Sequence, residues 1–327
     1  MDRRTALAGL GTAAGLALAG AAAWRGLAPR EVPGEPIRLR FSHVVAENTP
    51  KGKAANYFRD LVAERTGGRV VVEVYPNSEL YKDKEELEAV QLGSVQMVAP
   101  SLAKLGPLGI REFELFDLPF LFADVAAVHR VVRGEVGRRL LARLDGTGLL
   151  GLAFWDNGFK HMTAGRPLLD VSDFAGLRMR IQASQVLDAQ MRALGAIPDV
   201  TALADVYAAL QSGVDDGTEN TASNLYTQHL HEVQRYLTLS SHGYLGYVVI
   251  VNERFWRALP GDLHDVLAGA VADAAYYASE IARSENELAL ARIRAAGTTR
   301  ILAPTPAQLA TWRAALSGVR AGFQARV

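Results

Sequence analysis

The chain has 327 residues, and hydrophobic residues make up 49% of it. This length allows one large α/β unit or two packed lobes, each with a buried core. The 35 Lys and Arg balance the 35 Asp and Glu, so overall charge gives no reason to expect a nucleic-acid partner. An anion would have to be held by a local cluster of cations. There is no cysteine, and the seven histidines lack a metal-binding spacing such as HExxH, so we expect no metal or other cofactor.

The N-terminus has the pattern of an export signal. Arg3 and Arg4 precede an apolar run rich in alanine, glycine and leucine, from about Ala6 to Trp24. Small residues alternate within it and offer Ala-x-Ala cleavage sites, so we predict a secretory signal peptide over residues 1–30, with the twin-arginine type left open. An uncleaved membrane anchor is the alternative. Alanine and glycine are only weakly hydrophobic and no second apolar run follows, which favours cleavage.

Apolar periodicity and capping residues predict a first β-α-β-α-β series. Such an order indicates a mainly parallel sheet covered by helices. The predicted elements are a strand from Ile37 to Phe41 that continues into Val44-Val45, a helix from Thr49-Pro50 to Gly67-Gly68, a strand from Arg69 to Tyr75, a helix from Asp83 to Leu92 and a short strand from Gln96 to Ala99.

A second α/β series follows a dense apolar stretch around Pro119 and two helical segments between Asp124 and Leu144. We predict strands at 149–155, 178–181 and 247–251, a short strand after 214–217, helices at 184–194 and 205–211, a very long helix over 261–296 and a C-terminal helix from Thr305-Pro306. At 1.5 Å per residue the long helix spans roughly 50 Å and is able to run along two lobes. We predict a first lobe of residues 35–152 plus about 246–327, and a second lobe of residues 153–245.

Three cations lie at the ends of predicted strands or helices, where ligands of α/β folds bind. Lys51 lies in the first turn of a helix, where a cation opposes the helix dipole unless an anion is bound; a solvated lysine fits this position equally well. Lys160 follows an apolar strand. Arg180 stands between Met179 and Ile181, and strand alternation by itself favours a solvent-facing side chain. No nucleophile–base pair accompanies these cations, which favours binding over catalysis.

Other polar residues stand beside these cations at strand ends. His43 follows the first strand, and a hydrogen-bonding structural role is favoured there over ligand contact. Trp155 and Asn157 lie in a turn that ends an apolar strand. Asn220 follows a glycine turn, where asparagine is common for conformational reasons. Tyr244 lies just before the strand at 247–251.

Eight segments together resemble the substrate-binding proteins of TRAP (tripartite ATP-independent periplasmic) transporters, and most of all the subgroup for four-carbon dicarboxylates. The resemblance covers essentially the whole chain after the signal, in order and without large gaps. The segments are HVVAENTPKG at 43–52, TGGRVVVEVYPNSEL at 66–80, ELEAVQLGSVQMVAPSLAKL at 86–105, FELFDLPFLF at 113–122, FWDNGFKHMT at 154–163, GLRMRIQAS at 176–184, DVYAALQSGVDDGTEN at 205–220 and HGYLGYVVIVN at 242–252.

The resemblance implies a periplasmic-binding-protein-like Venus flytrap, with two α/β lobes, a long helix spanning both and a C-terminal helix. It implies no catalysis and no cofactor. It implies a periplasmic protein that captures a small carboxylate and delivers it to a separate membrane permease. A ligand that bridges both lobes would favour the closed state. We expect a monomer with no nucleic-acid partner.

The resemblance also implies roles for single residues. Arg180 matches the arginine that forms a salt bridge with the ligand carboxylate, and Asn220 matches an asparagine that hydrogen-bonds the same carboxylate. Lys160 stands where many relatives carry a second arginine, and Thr221 stands where they often carry proline. Lys51 is expected near the distal carboxylate. Pocket walls are expected at Trp155, Asn157, Gln182 and Tyr244.

Other functions remain as alternatives. An enzyme acting on an organic acid would need a nucleophile, metal or nucleotide motif, and none is recognisable in the sequence. A binding protein that feeds a sensor would look the same in sequence, and a neighbouring sensor gene in place of permease genes would distinguish it. Among binding proteins, the ligand would be a four-carbon dicarboxylate such as malate, succinate or fumarate, or else a keto acid, an aromatic acid or a sugar acid.

Overall fold

A single mixed sheet of nine strands runs through residues 34–327, which are the residues that the computed structural model describes. The signal predicted over residues 1–30 lies outside them. The strands are β1 (Ile37–Ser42), β2 (Val70–Tyr75), β3 (Met97–Val98), β4 (Leu149–Ala164), β5 (Arg178–Ile181), β6 (Ile197–Val200), β7 (Gly217–Asn220), β8 (Tyr236–Asn252) and β9 (Arg300–Leu302). Their order is β2-β1-β3-β8-β4-β7-β5-β6, and β9 pairs with β8.

Two groups of parallel strands are joined by one long antiparallel pair. β1 pairs in parallel with β2 and β3, and β5 pairs in parallel with β6 and β7. Between the groups, β4 and β8 run antiparallel from Leu149↔Asn252 to Ala164↔Tyr236, with three register shifts. The prediction of parallel pairing is therefore correct within each group. Both central strands extend well beyond the predicted ranges 149–155 and 247–251. The prediction missed these extensions because they mix polar, glycine and apolar residues without a sustained alternation.

Twelve α-helices cover this sheet in the described part of the chain, together with three short 3-10 segments at Leu102–Leu108, Arg111–Asp117 and Val171–Phe174. The helices are α1 (Pro50–Thr66), α2 (Glu85–Leu92), α3 (Val125–Val132), α4 (Glu135–Ala142), α5 (Gln185–Ala193), α6 (Leu203–Ser212), α7 (Ala222–Thr227), α8 (Leu230–Val233), α9 (Glu253–Arg257), α10 (Gly261–Ala296), α11 (Pro306–Ala315) and α12 (Ser317–Gln324).

The ends of α1 follow from its sequence. Thr49 is the N-cap, and its hydroxyl accepts a hydrogen bond from the N–H of Gly52 at 3.1 Å. Pro50 occupies the first helical position, where its missing N–H costs nothing. Gly67 ends the helix with a φ of 59°, in the left-handed region that favours glycine. These caps place Lys51 in the first turn, beside the carboxyl ends of β1 and β3.

The predicted long helix is α10, which is 36 residues long. Its buried face carries leucine, valine, isoleucine and many alanines, and it packs against α1, β4 and α7. It therefore contacts segments from both predicted lobes. Among the helices of residues 34–327, none is long and apolar enough to cross a membrane.

The buried apolar residues change clusters along the two central strands. Phe159 of β4 and Tyr244 of β8 pack with one cluster. Met162, three residues after Phe159 in β4, packs with a second cluster. Leu237 of β8 packs with a third cluster. Each of these two strands therefore begins in one half of the molecule and ends in the other. The boundaries at residues 153 and 245 remain a prediction.

The last two helices, α11 and α12, pack largely on residues of the predicted second lobe, although residues 246–327 are assigned to the first lobe in the prediction. Trp312 lies edge-to-face on Phe174, with ring centroids 4.9 Å apart, and its indole N–H donates to the carbonyl oxygen of Leu169 at 2.9 Å. Val319 and Phe323 belong to the same apolar cluster. Their amphipathic pattern shows that these helices bury one face, but not which surface receives it.

Candidate functional site

Four lysine and arginine side chains are buried in the described part of the chain. Two have carboxylate partners: Lys104 pairs with Asp83 and Glu86, and Lys160 pairs with Glu219. The other two, Lys51 and Arg180, have no carboxylate within 4.0 Å among residues 34–327. A buried charge without a counterion is costly, so these two side chains mark the place where an anion would be most stabilised.

Lys51 is enclosed on all sides. Its Nζ donates a hydrogen bond to the carbonyl oxygen of Ala99 at 2.9 Å and lies 4.0 Å from the centroid of the Tyr247 ring. The carbonyl and the ring face satisfy the ammonium only in part. Burial therefore lowers the pKa of Lys51 to about 7, although the nearby Glu86 carboxylate opposes the shift.

Arg180 lies in β5, between β7 and β6, and only 2% of it is exposed. The solvent-facing orientation that alternation favoured is therefore wrong, because the face that carries Arg180 is covered at this position, although Arg178 on the same face is exposed. Its Nε donates to the carbonyl oxygen of Thr201 at 2.8 Å. Burial lowers the pKa of Arg180, while Asp83 and Glu219 act in the opposite direction. Arg180 lines a cavity of about 390 Å³ whose wall also includes Lys104 and Gln182.

Asn220 ends β7, the strand next to β5. The register pairs Arg180 with Thr218, so Asn220 and Arg180 stand on adjacent parallel strands close to their carboxyl ends. The side-chain oxygen of Asn220 accepts hydrogen bonds from the N–H of Thr221 at 2.9 Å and from Nδ2 of Asn224 at 3.0 Å. With its oxygen engaged, the amide NH2 is the group left to donate to an acceptor such as a carboxylate.

Lys160 belongs to a separate buried network. Its Nζ lies 2.5 Å from Oε1 of Glu219, whose other oxygen lies 2.7 Å from Nε2 of His242 and accepts from Nε2 of Gln190 at 3.2 Å. Burial acts to raise the pKa of Glu219, but the charge of Lys160 outweighs it and the pKa is lowered. Burial also raises the pKa of Asp117, 3.9 Å from Lys160, to about 7. The charge of Lys160 is thus neutralised within the protein.

Two predicted wall residues make other contacts. Asn157 donates from Nδ2 to the hydroxyl of Thr221 at 2.8 Å, and its carbonyl accepts from Asn286 at 2.6 Å. The hydroxyl of Tyr244 donates to Asp156 at 2.9 Å, and its ring packs in an aromatic cluster of the core. Both side chains are held by other parts of the protein and hold its strands in place.

Three further predicted residues are Gln182, Trp155 and His43, and a contact between the predicted lobes is observed for Gln182. Gln182 donates from Nε2 to the hydroxyl of Ser101 at 2.8 Å, across the two predicted lobes. Trp155 and His43 are buried, and neither the indole N–H of Trp155 nor either ring nitrogen of His43 has a hydrogen-bond partner in residues 34–327. The backbone of Val45 acts to raise the pKa of His43 against the effect of burial, so the ring also interacts with the chain near it, and the structural role favoured for His43 stays a prediction.

Several site residues escaped the sequence reasoning. Tyr247 reads as one residue of an apolar strand, and its contact with Lys51 depends on long-range packing. The sequence pattern around Lys104 and Asp83 is that of ordinary surface residues. Nothing near Lys104 in sequence indicates that it is buried and paired with the carboxylates of Asp83 and Glu86.

Comparison with known proteins gives consistent matches over nearly the full length. The family model described as bacterial extracellular solute-binding protein, family 7, matches residues 41–326. The C4-dicarboxylate-binding periplasmic protein DctP of Rhodobacter capsulatus is 56% identical over 293 residues, which cover 90% of this chain and 88% of the relative.

Solved structures agree in fold. A TRAP periplasmic solute-binding protein from Shewanella oneidensis with bound succinate superposes with a TM-score of 0.87 and 41% identity, covering 89% of this chain and 95% of that one. One from Pseudomonas aeruginosa with bound L-malate has a TM-score of 0.85 and 39% identity, covering 88% of this chain and 100% of that one. The two-lobed α/β fold that the sequence predicted is confirmed by these structures.

Proposed function

This chain belongs to family 7 of the bacterial extracellular solute-binding proteins, and from that premise we propose that it holds a four-carbon dicarboxylate between Lys51 and Arg180. The prediction of a TRAP solute-binding protein, rather than an enzyme, is confirmed by the family and by the solved relatives. Such a protein captures a small carboxylate and works with a membrane permease.

The pair of buried cations without counterions carries this proposal. Lys51 comes from the predicted first lobe and Arg180 from the predicted second lobe. One ligand with a carboxylate at each end supplies a counterion to both, whereas a monocarboxylate leaves one cation uncompensated. Charge-assisted hydrogen bonds contribute about 1.5–3 kcal/mol each. Three or four of them account for most of the roughly 8 kcal/mol that micromolar binding requires.

At one end of the ligand, the guanidinium of Arg180 binds a carboxylate, and the amide of Asn220 donates to the same group. The planar fork of arginine suits two carboxylate oxygens at once. Nε of Arg180 is already tied to the carbonyl of Thr201, which fixes the plane of the guanidinium before the ligand arrives. A preoriented donor loses little conformational freedom on binding.

At the other end, Lys51 receives the distal carboxylate. The register pairs Trp155 with Tyr247 across β4 and β8, so both rings lie on one face of the sheet, and Lys51 lies against that of Tyr247. The unpaired indole N–H of Trp155 is therefore a candidate donor at the Lys51 end of the ligand. The unpaired ring of His43, whose pKa is lowered well below its usual value by burial and by Lys51, is another. Buried polar groups without partners are uncommon in proteins and are expected to find one in a ligand or an ordered water.

Calorimetry with malate, succinate and fumarate tests the proposed ligand class. We expect each to bind, and we expect Arg180→Ala to weaken binding at least about tenfold, or 1.4 kcal/mol. Arg178→Ala on the same strand is the matched control, because that side chain is exposed. Lys51→Met should weaken succinate binding much more than binding of a monocarboxylate such as propionate. Tight binding of a monocarboxylate with no binding of any dicarboxylate would reject the assignment.

We also propose that the protein is exported through residues 1–30 and acts as a monomer. The signal-like pattern of those residues and the periplasmic designation of the relative support export. Mass measurement of the secreted protein and light scattering in solution test these two points. Retention of residues 1–30 in the secreted protein, or a stable dimer at micromolar concentration, would contradict them.

A further inference from the structure

Helix α6 begins without a cap of its own. Its N-cap residue is Ala202, which has no side chain able to accept a hydrogen bond from the first turn. The missing acceptor comes from another part of the chain, because Oδ2 of Asp83 accepts from the N–H of Leu203 at 2.5 Å. Asp83 lies just before α2 in the predicted first lobe, 120 residues away in sequence, and α6 belongs to the predicted second lobe. A first-lobe carboxylate thus caps a second-lobe helix.

Asp83 is well suited to this contact. Its other oxygen forms an ion pair with Lys104, which is also in the predicted first lobe. The pKa of Asp83 is lowered to about 2, because the positive charges of Lys104 and Arg180 outweigh the effect of burial. A carboxylate at the N-terminus of a helix is stabilised by the N–H group it accepts from and by the helix dipole.

The segment that Asp83 caps is also the one that Arg180 holds. Arg180 donates to the carbonyl oxygen of Thr201, two residues before Leu203. The stretch Thr201–Leu203 is therefore fixed on one side by the proposed ligand-binding arginine and on the other by the opposite lobe. Only two peptide units separate the two contacts.

We propose that Asp83 is a positioning residue that latches the closed form by capping α6 and thereby holds Arg180 over the bound ligand. The inference rests on the proposed role of Arg180. A latch that forms only on closure slows the release of ligand and leaves the encounter step unchanged. Its loss therefore raises the dissociation rate constant rather than lowering the association rate constant.

Stopped-flow tryptophan fluorescence with succinate tests the latch in the full protein. We expect Asp83→Ala to raise the dissociation rate constant about tenfold and to change the association rate constant less than about twofold. Asp83→Asn retains an oxygen that accepts from Leu203 but loses the ion pair, and should fall between Asp83→Ala and wild type. The control is Asp205→Asn, which removes the half-exposed Lys82–Asp205 pair and should change either constant less than about twofold.

An interlobe distance separates a latch from a structural defect. The chain has no cysteine, so Leu92→Cys and Ile197→Cys, both at exposed positions, accept a pair of spin labels. With saturating succinate, Asp83→Ala should populate the longer, open distance more than wild type does. Unchanged dissociation and unchanged distances in a folded Asp83→Ala protein would overturn the latch. If wild type binds no dicarboxylate, the proposed ligand class fails, and the latch is measured with whichever of pyruvate, benzoate or gluconate binds.

Discussion

At the scale of single residues, the counterion decides what a buried lysine does. Lys51 and Lys160 are equally enclosed and both lie at the end of a predicted element. Lys160 has Glu219 at 2.5 Å and is neutralised within the protein, whereas Lys51 has only a carbonyl group and an aromatic face. We therefore propose that Lys160 stabilises the fold and that Lys51 is the lysine that binds an anion. Both were predicted as ligand contacts from the same kind of sequence position.

The state of Lys51 leads to a prediction about pH. Its pKa of about 7 without ligand means that the ammonium loses its proton as the pH rises through 7. A bound carboxylate favours the charged form and raises this pKa, so binding above pH 7 takes up a proton. We expect succinate affinity to fall as the pH rises from 7 to 9, by at most about tenfold per pH unit.

Calorimetry in buffers with different ionisation heats measures this proton uptake directly. Glu86, His43, Lys104 and Asp83 interact electrostatically with Lys51 and also carry shifted pKa values, so Lys51→Arg is the necessary comparison. Arginine stays charged over this range, and the variant should lose both the uptake and the pH dependence. Affinity that stays constant from pH 6 to 9 in wild type would contradict the prediction.

We expect Lys160 to contribute mainly to the free energy of unfolding. Lys160→Met leaves the Glu219 carboxylate buried without its strongest partner, and removing one member of a buried pair typically costs about 3–5 kcal/mol. Lys160→Arg keeps the charge and should cost less. Urea denaturation of both variants measures the difference in the free energy of unfolding. If Lys160→Met unfolds like wild type but binds succinate weakly, Lys160 is a ligand contact instead.

At the scale of elements, α10 links the two halves through side chains as well as apolar packing. Asn286, in its second half, donates from Nδ2 to the carbonyl oxygen of Asn157 in β4 at 2.6 Å. Its Oδ1 accepts from the N–H of Ser223, in the first turn of α7, at 2.9 Å. One side chain thus holds a central strand and the helix that follows Asn220. Helix α7 has no side-chain cap from its own N-cap residue, Thr221.

Asn286→Ala should therefore reduce stability although it removes little apolar surface. The substitution leaves a buried N–H and a carbonyl group without partners, and each such loss costs about 1–3 kcal/mol. Glu287→Ala is a matched control on the same helix, because its ion pair with Arg283 is exposed. Urea denaturation should show a large loss of unfolding free energy for Asn286→Ala and under about 0.5 kcal/mol for the control. Equal effects would contradict the role of Asn286 as a link.

At the scale of the whole molecule, the proposed binding groups come from opposite predicted lobes, which share one continuous sheet. β4 and β8 pass through both halves, and α10 contacts both. Lys51 lies on one half, and Arg180 and Asn220 lie on the other. A ligand that contacts both favours the closed arrangement by its additional affinity for that state. The cap that Asp83 places on α6 belongs to the same arrangement.

Local pattern in the sequence was enough to determine many of the helices and strands, and the ordered segments were enough to indicate the family. The signals that predict α1, α10 and the parallel strands act over only a few residues. They are the period of the apolar residues, the Thr-Pro helix starts and the glycines that end helices. The resemblance of eight ordered segments identified the transporter family and raised Arg180 above its neighbours. Alternation alone placed Arg180 in solvent, because the cover over each face of a sheet is not a local property.

Only the tertiary structure decided which charges are compensated. Lys160 meets Glu219 across 59 residues, Asp83 meets Leu203 across 120, and Lys51 reaches Ala99 across 48. These contacts depend on strand register and on the packing of the two halves, which no window of sequence contains. The packing of α11 and α12 against second-lobe residues was decided in the same way, because an amphipathic helix shows that it buries a face without showing where. The physical reason is common to all of them: short-range preferences determine elements, and long-range packing determines which polar groups meet.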